Sequence, residues 1–252
     1  MLIVFSLLFY AWGEPVRIVV MVFSVCLNWL CGLMVSRSEN RGIRRAWMLI
    51  GVGVSLGTLV YFKYFAFMAE TVCVLLGVSY KGPEVTLPIG MSFYTFQVLT
   101  YTIDVWRGKV EVQRSLPRLM MYVSFFPQLI AGPIVNYKDI EKSLGARVIT
   151  GADFHAGMLR FLDGFAKKVL LANLCGELLE QLLPSGESMS VLSAWLSAVV
   201  FGLQIYFDFS GYSDMAIGMG RMFGFRFREN FDHPYMSSSV SEFWRRWHIS
   251  LG

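Results

Sequence analysis

Ile18 to Val35 runs for 18 residues without a charge, and no other feature constrains the fold of this chain as strongly. A helix needs about 20 apolar residues to cross the hydrocarbon core of a bilayer, so the run reads as one slightly short transmembrane helix. Its most polar residue, Asn28, is expected to hydrogen-bond a neighbouring helix, because lipid offers an amide no partner. Comparable runs recur along the sequence, and only 16% of the residues are charged, against about 25% in a soluble domain. The expected class is an all-α integral membrane protein, a multispan helical bundle with short, broken and re-entrant helices.

Cations cluster between the apolar runs. Arg37, Arg41, Arg44 and Arg45 stand against a lone Glu39, which places that stretch in the cytoplasm. Ala46–Tyr80 is apolar apart from Lys63 and Glu70 and fits either one long tilted helix or a helix with an interfacial tail. Its Gly51, Gly53 and Gly57 are either a surface for close helix approach or the chance glycine common in membrane helices. After a polar turn at Lys81–Thr86, Leu87–Ile103 is expected as a third span with Pro88 in its first turn. Trp106 suits an interface anchor, and Arg107, Lys109, Arg114 and Arg118 mark cytoplasm again.

Leu119–Val135 is apolar but interrupted by Pro127, Gly132 and Pro133, and a basic stretch from Tyr137 to Lys168 follows. A complete crossing would carry those cations outside, so a broken element that enters and leaves on one face is expected. Non-helical backbone at that depth needs protein or a water-filled cavity around it, which makes 126–133 a candidate cavity wall. Asp153–Leu183 reads as an amphipathic helix in or under the cytoplasmic interface. Pro184-Ser185-Gly186 breaks it; Val191–Phe207 then spans outward and Gly211–Phe225 returns, leaving Arg221, Arg226, Arg228, Arg245 and Arg246 inside.

Other classes find little support. The net charge of +4 sits in loops between spans, so no nucleic-acid partner is expected. Cys26, Cys31, Cys73 and Cys175 form no CxxC pair and read as apolar packing residues. His155 and His233 lack companions at metal-ligand spacing and read as ordinary polar positions. Met1–Trp12 has neither a basic n-region nor a cleavage site, and Leu251-Gly252 carries no terminating signal, so a single partial membrane domain over 1–252, truncated at both ends, is expected.

Three residues are chemical candidates. Asp208 and Asp214 lie in or beside apolar helices, where a carboxylate costs a few kcal/mol unless paired or hydrated. They either line a polar pathway or pair with Arg221, Arg245 or Arg246 to hold the bundle. His248 follows Trp244-Arg245-Arg246-Trp247; on a continuing helix it shares a face with Trp244, Arg245 and Ser241. It is either a proton relay or general base, its pKa lowered by the cations, or a structural histidine at an interface.

Four strings, Leu87–Gln97 (LPIGMSFYTFQ), Phe125–Ile134 (FFPQLIAGPI), Gln204–Asp214 (QIYFDFSGYSD) and Glu242–Leu251 (EFWRRWHISL), resemble the membrane-bound O-acyltransferase family, in its alginate O-acetylation branch. The resemblance runs in order over nearly the whole chain. It implies a multi-pass enzyme of the cell inner membrane, embedded in lipid, in which an acyl group from a cytoplasmic thioester crosses to the outer side. No cofactor is bound permanently, and acetyl-CoA is the implied acyl donor. The implied partners are periplasmic or extracellular acetyl-transfer proteins and a polysaccharide acceptor such as alginate. His248 matches the first of two family histidines, at the inner end of a tunnel; the second, to which the family assigns the central role, has no counterpart here. With His248 as catalytic residue, Asp208, Asp214, Gln128, Trp244, Arg245, Arg246 and Trp247 become candidates for tunnel lining or donor binding, since guanidinium forks suit coenzyme A phosphates. The alternative is a transporter or scaffold without covalent chemistry, or an inactive fragment of the enzyme.

The cytoplasmic placement has a direct test in single cysteines put in place of Arg41, Lys109, Lys142 and Arg228. All four should react only from the cytoplasmic side. Labelling at 142 from outside, with 109 protected, would remove the re-entrant reading of Leu119–Val135.

Overall fold

The computed structural model describes residues 1–79, 82, 85–129, 132–145, 147–183 and 190–251, with Lys142 described by its backbone alone. The turn expected at Lys81–Thr86 falls in part outside these residues, as do Ile130 and Ala131 of the broken element; the break at Pro184-Ser185-Gly186 falls wholly outside them. Regular structure among the described residues is helical, with one isolated β-bridge between Phe231 and Trp247. The chain divides into two compact units, Met1–Ile130 with Asn136–Gly145, and Ala131–Val135 with Ala146–Gly252.

The first unit holds α1 (Leu2–Gly13), α2 (Ile18–Arg37), α3 (Arg41–Leu75), α4 (Met91–Trp106), α5 (Leu116–Ser124), α6 (Phe126–Leu129) and α7 (Tyr137–Gly145). Helices α2 and α3 are long and apolar enough to cross a membrane. At 35 residues and 1.5 Å per residue, α3 measures about 52 Å, so the long-helix alternative is the one realised. Asn40 caps it by accepting hydrogen bonds from the amides of Gly42 and Ile43. The cap draws Arg41, Arg44 and Arg45 out of the expected loop and into the helix start.

Asn28 bonds two neighbours at once. Its amide donates to Ser55 Oγ of α3 at 2.8 Å and accepts from Thr102 Oγ1 of α4 at 2.7 Å. Gly51 makes room beside it: a Cβ there would lie 3.1 Å from Asn28 Oδ1, whereas Gly53 and Gly57 have nothing within 4 Å. Only the first of the three glycines serves helix packing.

The third span is shorter than expected. Gly90 adopts φ 70° in the left-handed region and the helix begins at Met91, leaving Pro88 outside it. Sixteen residues reach about 24 Å, short of the ~30 Å core, and α4 is instead wrapped by protein, with Tyr94, Val98, Tyr101 and Thr102 fully buried. The apolar stretch after it is broken, as its prolines require. Helix α5 stops at Ser124, Phe125 turns to ψ 109°, and α6 is four residues long. Leu119, Tyr122, Val123 and Leu129 are fully buried, so protein surrounds this irregular backbone.

The second unit is built on a pair of antiparallel helical rods. One is α8 (Gly151–Ala166), a π-helical turn (Lys167–Ala172) and α9 (Asn173–Leu182); the other is α10 (Val191–Met222). Two expectations fail here. The out-and-back pair Val191–Phe207 and Gly211–Phe225 is one continuous 32-residue helix, because Gly211 serves a close helix contact and a single interior glycine costs only about 1 kcal/mol. The amphipathic segment does not stand apart at an interface: it packs along α10, which is itself long and apolar enough to cross a membrane. Much of its exposed face is apolar, with Phe154, Leu159, Leu162, Phe165 and Leu170 all at least half exposed, while Arg160, Lys167 and Lys168 turn toward α10. The rods bring the acidic start of α8, with Asp153, and the basic end of α10, with Arg221, to the same end.

Glycines set how close the rods come. A Cβ at Gly164 would lie 2.5 Å from the carbonyl oxygen of Gly211, and one at Gly157 2.7 Å from that of Gly218. Backbone cannot yield as a flexible side chain can, so Gly164→Leu should destabilise the protein by about 3 kcal/mol through overpacking. Gly53→Ala, into open space, should stay within about 1 kcal/mol of wild type. Thermal unfolding in detergent separates the two; equal melting temperatures would show that the rods do not need the contact.

Candidate active site

Asp214 lies at the centre of the rod pair, with 6% of its surface exposed. Arg160 donates to Oδ1 through Nε at 3.1 Å and a terminal nitrogen at 2.7 Å, and Lys167 reaches Oδ2 at 2.5 Å. Arg160 also bridges to Glu229 at 2.5 Å. Lys168 pairs with Asp208, whose side chain is half exposed. The π turn contains both lysines: an i→i+5 ring rotates the chain less per residue than the α-helix, which helps two consecutive side chains face α10. Both acids are therefore paired, with Arg160, Lys167 and Lys168 rather than with Arg221, Arg245 or Arg246. Arg221 instead reaches Asp153 at 3.3 Å.

A cavity of about 510 Å³ opens beside this network, lined by Arg160, Lys167, Tyr206, Ser210, Asp214, Glu229, Phe231, Asp232, His233 and Ile249. A second, of about 400 Å³, shares Arg160, Lys167 and Asp214 as lining. The Ser210 hydroxyl is buried without a hydrogen-bond partner. His233, read from sequence as an ordinary polar position, takes φ 45° and sets Nδ1 3.1 Å from Asp232 on this wall. Arg160, Lys167 and Lys168 fall in the segment expected as an amphipathic interfacial helix; their spacing of seven and eight, opposite acids six apart on the next apolar run, is the sequence signal of an inward charged stripe.

The aromatic-basic segment folds back over α10. Helix α11 (Val240–Arg246) starts at Ser239, whose Oγ accepts from the Glu242 amide. It ends at Arg246, because Trp247 is extended (φ −98°, ψ 127°) and His248 is left-handed at φ 49°. The helical face that would join His248 to Trp244, Arg245 and Ser241 therefore does not form. Trp247 bridges to Phe231 and stacks on Phe243, their ring centroids 5.5 Å apart at 17°. Asn230 Oδ1 accepts from the Ser250 hydroxyl at 2.8 Å, and that hydroxyl oxygen accepts from the Ile134 amide at 2.9 Å. This fixes the backbone on both sides of the histidine.

His248 stands edge-on to Phe209 of α10, with ring centroids 4.9 Å apart. Its Nε2 is buried and has no hydrogen-bond partner. Burial lowers its pKa; the expected cationic cause is absent. Arg246 is taken up by Glu242 at 2.8 Å, while Trp244 and Arg245 are exposed. Gln128 belongs to the first unit, where its amide donates to the Tyr122 carbonyl at 2.6 Å and its Oε1 is buried without a partner. Among the described residues no group of three His, Cys, Asp or Glu side chains gathers as a metal site.

The two charged pairs should respond differently to loss of charge. Breaking a buried pair costs about 3–5 kcal/mol and an exposed one about 0–1 kcal/mol. Because its cations are about one-third exposed, Asp214→Asn should cost about 2–3 kcal/mol, and Asp208→Asn under about 1 kcal/mol. Urea or thermal unfolding of both variants decides it; equal losses would refute the unequal roles.

Comparison with known proteins agrees with the resemblance in the sequence. Residues 90–252 match the family model described as MBOAT, membrane-bound O-acyltransferase family. The Pseudomonas putida protein named "Probable alginate O-acetylase AlgI" is 41% identical over all of this chain and 53% of its own length. The Helicobacter pylori "Peptidoglycan O-acetyltransferase" is 29% identical over 99% of this chain and 53% of its own. The Bacillus subtilis "Teichoic acid D-alanyltransferase" is 28% identical over 65% of this chain and 42% of its own. The chain spans about half the length of the alginate relatives it matches. It belongs to the membrane-bound O-acyltransferase family.

Proposed function

We propose that the protein is a membrane O-acetyltransferase that takes an acetyl group from a cytoplasmic thioester, acetyl-CoA, and passes it across the inner membrane for O-acetylation of an exported polysaccharide such as alginate. The observation that carries the reading is His248: an imidazole with a buried, unpartnered Nε2, inside a segment matched by the family model. Its neutral form can accept a proton. In the reaction the thioester C–S bond breaks as an ester C–O bond forms; His248 takes the proton of the acceptor hydroxyl and returns it to the leaving thiolate. The names of the alginate and peptidoglycan relatives support an O-linked carbohydrate acceptor. Acetyl-transfer proteins on the outer face complete the route.

The remaining candidates take separate roles. Arg245, exposed and at the end of α11, is the donor-phosphate contact, with Trp244 beside it. Arg246 and Trp247 hold the segment in place through Glu242 and Phe243. Asp214, engaged by Arg160 and Lys167, positions the wall of the 510 Å³ cavity, and Asp208 holds Lys168 beside it in the rod pair. Gln128 stays within the broken element, read as re-entrant, where its buried Oε1 without a hydrogen-bond partner is the polar group a passing substrate would meet. Pairing of both acids weighs against the transporter alternative, which needs them free along a pathway.

The test uses the complete protein carrying this chain, radiolabelled acetyl-CoA and its acceptor machinery. His248→Ala should lower label transfer by about 10²–10⁴-fold with membrane insertion unchanged. Burial holds His248 neutral below its ordinary value of 6.5, so the acid limb of the wild-type rate profile should have its midpoint below pH 6.5. Normal transfer by His248→Ala would remove His248 from the chemistry, and intact solute transport without acetyl-CoA consumption would establish the transporter.

A further inference from the structure

Far from the histidine segment in sequence, the first unit holds a cavity of about 380 Å³ lined by Arg41, Arg44, Arg45 and Trp106. Three arginines surround it, with no carboxylate in the lining among the described residues. Arg44 donates one terminal nitrogen to the Trp106 carbonyl at 3.2 Å, which fixes its guanidinium, while its Nε is buried without a partner. The acids nearest to these residues in sequence, Glu39 and Asp104, do not line the cavity. The cations also stand at the wrong end of a helix. The N-terminus of α3 carries the positive end of the helix dipole, which favours anions, yet its first turn holds no acid. Cations gathered against a dipole of the same sign raise the energy of the empty site and increase its attraction for an anion.

The position of the cavity narrows the choice of anion. Arg41 follows directly on the link between α2 and α3, both long and apolar enough to cross a membrane, so the arginines lie where a chain leaves one span and enters the next. That is the depth of the lipid headgroups. Trp106 adds an amphipathic ring of the kind that settles at this boundary. Planar guanidinium groups match the oxygens of a phosphate in pairs, and basic pockets between membrane helices bind anionic head groups.

We propose that Arg41, Arg44, Arg45 and Trp106 form a binding site for the phosphoryl headgroup of an anionic phospholipid. The site is independent of the acetyl-transfer reading and stands whether or not that reading holds. The complete protein, in detergent with phosphatidylglycerol or phosphatidylcholine added, is examined by native mass spectrometry. Phosphatidylglycerol should remain bound and phosphatidylcholine should not. Retention should weaken about fivefold on Arg44→Gln and about a hundredfold on the triple change Arg41→Gln, Arg44→Gln, Arg45→Gln.

A second arm needs only wild-type protein. Headgroup binding should fall as salt rises from low to high, since solvent ions screen the pairing, and millimolar inorganic phosphate or coenzyme A should leave the lipid in place. Equal retention of the two lipids, a triple variant that binds like wild type, or displacement of the lipid by inorganic phosphate or coenzyme A would each overturn the assignment.

Discussion

Backbone-to-backbone contact between α8 and α10 is the constraint on which the second unit depends. At Gly157 against Gly218 and Gly164 against Gly211 there is no room for a methyl group. Between helices in lipid no hydrophobic force drives association, and close packing with polar pairing takes its place. The short distance does both. It gives the rods their van der Waals contact and brings the Asp214 carboxylate of one helix to within hydrogen-bond range of Arg160 and Lys167 on the other. A wider spacing would leave a carboxylate and two cations in a medium where each alone is costly. The apolar exterior of α8 and its charged inner stripe are consequences of the same arrangement.

The hairpin in turn determines where the histidine segment can lie. Helix α10 offers Tyr206 and Phe209 on the side where Phe231, Tyr235 and Trp247 pack as an aromatic cluster. Tyr235 anchors it by donating its hydroxyl to the Gly202 carbonyl at 2.6 Å. The chain between Asn230 and Ser250 is closed into a loop by the Asp232 amide on the Arg246 carbonyl and the Ile249 amide on the Asn230 carbonyl. Closing it this way demands left-handed backbone at two non-glycine positions, and among the described residues those are His233 and His248. Such conformations cost about 1–3 kcal/mol and persist only where surrounding contacts over-determine them, as the bridge and the aromatic cluster do here.

Much of this could be read from residues and some could not. Asn28 announced a helix contact because an amide in lipid must find a partner, and it found two. Pro127 announced a break, since proline cannot donate to the helix ladder. What escaped was long-range pairing. Gly211 looked like a turn because glycine frees the backbone, but the structure uses its missing side chain and keeps the helix unbroken. The polar face of α8 pointed to a membrane interface because periodicity gives the direction of a stripe and not the identity of what it faces. His248 looked helical because Trp244-Arg245-Arg246-Trp247 has no helix breaker; the stop comes from the pairing of Phe231 with Trp247, a contact 16 residues away that local sequence does not contain.

The two strained histidines stand in different surroundings. His233 is exposed, with Nδ1 3.1 Å from the Asp232 carboxylate on the cavity wall. Among the described residues His248 has no carboxylate against it; the edge of Phe209 faces the ring and its Nε2 is desolvated. Burial without a counter-ion favours the neutral ring, which has a lone pair free for a proton. The hairpin keeps Arg160, Lys167 and Lys168 occupied with Asp214 and Asp208, so burial, and no neighbouring cation, is what acts on the His248 ring.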